Sequence, residues 1–176
     1  MRLRPLLLSA AFTVALPFAT AQALELSSTS IEDGELNVVH ACVDHDGEDQ
    51  RPQLTITDAP NGTSHYAVIM DDPDAMAIDG VTWVHWAVVN IPVDHTVLDS
   101  GAPPPGVELS NSDGVAGYGG MCPEDGTHTY RLAVFALSAP IDTDTDRPPE
   151  GLSLEDFRDA YGHLILDEAI IEGAFP

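Results

Sequence analysis

A mainly β domain with one clear helix near the C-terminus is what the sequence predicts, and three observations carry that prediction. Residues 66–70, 84–91 and 130–137 are near-continuous runs rich in β-branched and aromatic residues, as in strands covered on both faces. A stretch such as 99–120 is rich in Gly, Pro, Ser and Asn and shows no periodicity, which marks loop. Helical spacing is clear in one place, near the C-terminus.

Taken in chain order, Met1-Arg2-Leu3-Arg4 is followed by an apolar run over 6–18 and by Ala21-Gln22-Ala23, the small-x-small form of a signal-peptidase site. Residues 1–23 are therefore expected to be a signal peptide and residues 24–176 a single domain, exported to the periplasm or medium. The alternative, a retained anchor, is disfavoured because the run contains Pro17 and falls short of the roughly 20 residues a bilayer requires. No Cys stands near Ala23 to carry a lipid, and no Arg-Arg pair marks the twin-arginine route.

Residues 35–40 read as extended, and 53–57 alternate polar and apolar as a half-buried strand should. Residues 58–62 turn the chain. The loop over 139–151 carries Asp142, Asp144 and Asp146 at alternate positions, as a calcium loop does, but Arg147 and Ser153 stand where its Gly and Glu belong. A solvated acidic turn is expected there. Ser153 then caps a helix with Asp156 at its third position, and Leu154, Phe157, Tyr161, Leu164 and Ile165 recur near helical spacing, with Gly173 in the end region.

Twenty-nine acidic residues against six basic ones, all Arg, give a formal charge of −23. Such a field disfavours nucleic acid and anionic membranes, both of which are bound through Lys and Arg. A hydrated acidic surface of the halophilic kind is the expected reading. The two cysteines, Cys42 and Cys122, are expected to form a disulfide in an oxidising compartment, closing a loop worth about 4 kcal/mol. Zinc ligation by the pair is not expected.

The polar residues set in or beside apolar strands are the candidates for function. Asp71-Asp72-Pro73-Asp74 leaves one strand, His85 sits inside another, and His128 and Tyr130 enter a third on the same face. Singly, each has an ordinary structural reading: a satisfied core histidine, a turn-forming Asp before Pro, a core tyrosine.

Together they resemble a known family. Tyr66 to Ala75, Trp83 to Pro92, and Gly117 to Pro123 with Gly126 to Arg131 are similar, in order and spacing, to the three signature blocks of the phosphatidylethanolamine-binding (Raf kinase inhibitor-like) proteins, bacterial branch. The resemblance extends over nearly all of residues 24–176. It implies a β-sandwich of two sheets with few helices and a small anion pocket formed by Asp72, Asp74, His85, Pro123, His128 and Tyr130. Three positions depart from the pattern. Met76 and Met121 stand where Pro is usual and are expected to loosen the pocket rim, and Glu124, often Pro, adds negative charge beside it.

The function expected on this basis is non-catalytic binding of a small phosphorylated or carboxylated ligand such as phosphorylethanolamine, without a cofactor or metal. No nucleophile with a placed base, phosphate-cradling glycine loop or His-x-x-x-His pair is present. Two alternatives stand beside it. One is an inhibitor of a protein target such as a hydrolase or kinase; the other is a hydrolase or metal site using Asp72, Asp74, His85 and His128. Oligomeric state is left open.

Overall fold

The computed structural model describes residues 23–76, 80–144 and 148–176. The expected signal peptide lies outside this range up to Gln22, as do Asp146 and Arg147 of the acidic loop.

Among the described residues two sheets form the domain, as expected. The larger has seven strands in the order β2-β3-β10-β9-β5-β6-β8: β2 (Ile31–Glu32), β3 (Glu35–Leu36), β10 (Ile165–Phe175), β9 (His128–Leu137), β5 (His65–Asp72), β6 (Trp83–Pro92) and β8 (Val107–Glu108). All its pairings are antiparallel except β3 with β10. The smaller sheet is β1 (Glu25–Ser27), β4 (Leu54–Thr57) and β7 (Val97–Leu98).

Strands β5, β6 and β9 are buried on both faces, which is why their sequences read as unbroken apolar runs. One face, with Tyr66, Val68, Met70, Trp86, Tyr130 and Leu132, packs against Leu54, Ile56 and Leu98 of the small sheet. The other, with Ala67, Ile69, Ala87, Val89 and Phe135, is covered by helix α1 (Leu154–Tyr161). There the rings of Phe135 and Phe157 pack in a tilted pair with centroids 4.6 Å apart.

Helix α1 begins as expected, with reciprocal hydrogen bonds between Ser153 and Asp156 forming a capping box. It ends sooner than the apolar spacing suggests. Gly162 caps it, and Ile165–Phe175 forms β10, paired with β9 from Leu137 to His128. That long ladder overrides a weak helical pattern. Residues 35–40 also divide: β3 stops at Leu36, and the Asn37 side chain accepts from Val39 N–H to cap a 3-10 turn over Val38–His40.

Two irregularities matter for the site. Between β5 and β6, Met70 pairs with Trp86 but Asp71 pairs with Val84, so His85 is the extra residue of a β-bulge. Asp71 and Asp72, being adjacent on β5, point to opposite faces. Asp71 turns toward α1, where it receives two hydrogen bonds from Arg131, both 2.8 Å, and one from Leu154 N–H at 3.0 Å. Asp72 turns toward the other face.

Candidate functional site

The ends of β5, β6 and β9 meet the segment over 119–128 around an open cavity of about 670 Å³. Asp72, His85, Pro123 and His128 line it. So do Asp44, Asp113 and Glu124, and the disulfide joining Cys42 to Cys122 closes one wall.

Asp72 positions the rest. Its Oδ1 accepts from Asp74 N–H at 2.9 Å and Ala75 N–H at 3.3 Å, closing the turn after β5. Its Oδ2 accepts from His128 Nδ1–H at 2.7 Å, in a pair shielded from solvent. Burial disfavours the imidazolium of His128, but the Asp72 hydrogen bond and charge, with Asp125 and Asp74, outweigh it and raise its pKa. His85 is driven the other way. Burial lowers its pKa, against the hydrogen bond its Nδ1–H donates to the Gly119 carbonyl at 2.9 Å and the charge of Asp72. Near pH 6.5, the ordinary histidine value, His128 is thus mainly charged and His85 mainly neutral. Both Nδ1 atoms are committed, so Nε2 is the nitrogen each ring has left for a ligand, that of His128 with the exposed Asp125 carboxylate 3.7 Å away.

Tyr130 stands behind the imidazoles, its ring centroid 5.2 Å from His85 and 6.4 Å from His128. It is fully buried, and its hydroxyl has no hydrogen-bond partner. Burial, followed by the charges of Asp72 and Asp74, pushes its pKa up, so the hydroxyl keeps its proton and is an orphan donor.

Five of the six expected residues therefore come together at the cavity, in different positions. Four line the cavity, Tyr130 backs it, and Asp74 lies outside, with its Oδ2 accepting from Thr129 N–H at 2.7 Å. The expected effect of two departures is corrected. Met121 is fully buried in the core, its backbone bridged to Ala41, and exposed Met76 borders a neighbouring depression. Neither side chain lines the cavity. Glu124 does stand in the cavity lining. In the neighbouring depression the cation among the described residues, Arg131, is held by Asp71 and Glu155.

Asp72, Asp74, His85 and His128 do not form a chelate: among the described residues, the group that could hold a metal is Cys42, His45 and Cys122. The sequence reading passes over His45 and Asp44, which no strand pattern marks. The signal that could have found them is their position within three residues of Cys42.

A β-sandwich whose large sheet ends in a histidine-lined cavity is the class of protein this architecture defines. The sequence profile described as phosphatidylethanolamine-binding protein matches residues 27–176, and the chain belongs to that family. It is 37% identical over 136 residues to a UPF0098 protein of Methanothermobacter thermautotrophicus, covering 74% of this chain and 85% of that one. It is likewise 37% identical over 143 residues to Escherichia coli YbcL, covering 72% and 77%. The crystal structure of YbcL, described as a new member of the mammalian family, superposes with a TM-score of 0.73 at 31% identity, over 88% of this chain and 98% of that one. A Mycobacterium tuberculosis protein named as a lipoprotein, LppC, is 35% identical over 129 residues, covering 71% and 61%. The disulfide and this relative are both compatible with export. Among the described residues no helix is long and apolar enough to cross a membrane.

Proposed function

We propose that the chain is an exported, non-catalytic binding protein for a small phosphate-bearing anion held between His85, His128 and Tyr130. The observation that carries this reading is the buried Tyr130 hydroxyl without a partner, beside one charged and one neutral imidazole. An unsatisfied buried donor costs about 1–3 kcal/mol, which an arriving acceptor recovers.

The donor pattern favours phosphate over carboxylate. His128 Nε2–H and the Tyr130 hydroxyl offer two donors, while neutral His85 offers an acceptor at Nε2. A singly protonated phosphate presents bare oxygens and one P–OH, and so matches all three. Asp44, Asp113 and Glu124 at the cavity suit an ammonium on the same ligand, as in phosphorylethanolamine. The lining supports binding rather than turnover: among the described residues it holds no Ser, Thr or Lys, both cysteines are bonded, and both oxygens of Asp72 are engaged.

Calorimetric titration of residues 24–176 with phosphorylethanolamine and with inorganic phosphate, at moderate and high salt, tests this. Saturable binding that is lost in His85→Ala and His128→Ala is expected. Undiminished binding by both variants, or no binding by the parent at either salt, would overturn the proposal.

A further inference from the structure

One wall of the cavity brings together three groups that the anion reading does not use. A sulfur of Cys42, a sulfur of Cys122 and a ring nitrogen of His45 all lie within 4.8 Å of one another, and all three residues line the cavity.

Backbone contacts, and not the S–S bond alone, build this convergence. Cys42 caps a single 3-10 turn over Val43–His45, with His45 N–H donating to the Cys42 carbonyl at 3.0 Å, so the turn brings His45 back beside Cys42. On the other strand of the wall, Cys42 N–H donates to the Met121 carbonyl at 2.9 Å and Ala41 bridges Met121, which sets Cys122 opposite Cys42 with Cα atoms 5.5 Å apart. Gly120 allows the approach: a Cβ there would come within 2.5 Å of Cys42 N. The ring of His45 is steadied by an edge contact with Phe175, centroids 6.0 Å apart.

We propose that reduction of this disulfide converts the wall into a binding site for a zinc-like divalent cation, with Cys42, Cys122 and His45 as ligands. A protein dithiol of the thioredoxin class supplies two electrons and two protons: the S–S bond breaks, two thiols form, and the donor is oxidised to its own disulfide. The cation then displaces both thiol protons as two sulfur–metal bonds form, and the neutral imidazole gives the third bond. Water or a cavity anion completes a tetrahedron. Tetrahedral zinc thiolates sit roughly 3.8 Å apart, given bonds of about 2.3 Å, a separation that residues with Cα atoms 5.5 Å apart reach by side-chain rotation. In the oxidised chain the sulfurs are not thiolates and the site is silent. Two residues separate Cys42 from His45, a spacing common among zinc ligands, but the 80 residues to Cys122 hide the set from the sequence.

Cobalt titration of the chain decides the matter independently of anion binding. The protein is reduced with a phosphine, freed of reductant without oxygen, and titrated with Co²⁺ while near-ultraviolet circular dichroism monitors folding. One cobalt per reduced chain with sulfur-to-cobalt charge-transfer absorption is expected, and none at this site in the oxidised chain. Cys122→Ser should abolish the absorption, and His45→Ala should weaken affinity by more than about tenfold. A folded, reduced chain without the absorption, a His45→Ala variant with parental affinity, or a reduced chain that unfolds and is not refolded by cobalt would each overturn the proposal.

Discussion

Replacing Asp72 by Asn removes one charge while leaving a carbonyl oxygen to accept from Asp74 and Ala75 N–H, so the turn after β5 is kept. What changes is the partner of His128 Nδ1, now an amide instead of a carboxylate. A buried hydrogen bond to a charged group is worth about 1.5–3 kcal/mol, and one pH unit corresponds to about 1.36 kcal/mol. The titration midpoint of His128 should therefore fall by about one to two units, since burial then acts with less opposition. The folded-state pKa of His128 is raised above its unfolded value, so this stabilisation is fully present below about pH 6.5 and is lost as pH rises through the folded midpoint. The stability gap between parent and Asp72→Asn should accordingly be wider at about pH 5.5 than in the alkaline range. Proton NMR of the His128 ring gives the midpoint, and denaturant unfolding at several pH values gives the gap. An unshifted His128 midpoint, or a gap that does not change with pH, would refute the assigned pairing.

Tyr130→Phe deletes a buried hydroxyl with no partner in the unliganded protein. The variant should be as stable as the parent or more stable by about 1 kcal/mol in denaturant unfolding, yet bind phosphate about tenfold more weakly. A clear loss of stability would mean that the hydroxyl is satisfied. Asp71→Asn should behave in the opposite way. It breaks the pair with Arg131, in which the Asp71 side chain is wholly buried, and should cost about 3 kcal/mol of stability. It should leave phosphate binding in place, because Asp71 serves the face covered by α1 and reaches His85 only as the weakest of the charges acting on it. A cost below about 1 kcal/mol, or a coupled loss of binding, would contradict that separation.

The sequence speaks most plainly where burial is two-sided. Strands β5, β6 and β9 are legible because both faces are covered, leaving no polar alternation to confuse them, and the start of α1 is legible because Ser153 and Asp156 form a local motif. The end of α1 is not, because Leu164 and Ile165 continue its spacing while their fate is decided by pairing with β9, a contact distant in sequence. Within the site, the shared face of His128 and Tyr130 follows from strand parity, and Pro123 comes from the resemblance alone. The same parity separates Asp71 from Asp72, which composition groups into one carboxylate cluster. The bulge at His85 has no Gly or Pro to announce it, and the wall of Cys42, His45 and Cys122 exists only once the chain has closed.

The bulge explains how one end of a fully covered strand can carry chemistry. Val84 belongs to the α1 face of the sheet and Trp86 to the small-sheet face, whereas regular alternation would put both on one face. Making His85 the extra residue restores the pattern of β6 on both sides of it and leaves the imidazole beside Tyr130 at the cavity. The hydrogen bond to the Gly119 carbonyl then fixes the ring and its tautomer. His128 needs no such device, because it is the first residue of β9 and shares the face of Tyr130 by parity. The two imidazoles thus reach one cavity by different structural routes, one deeply buried and held by a carbonyl, the other held by a carboxylate. Burial prevails at His85 and the Asp72 carboxylate prevails at His128, which gives opposite pKa shifts and so makes one a donor and the other an acceptor toward the same ligand.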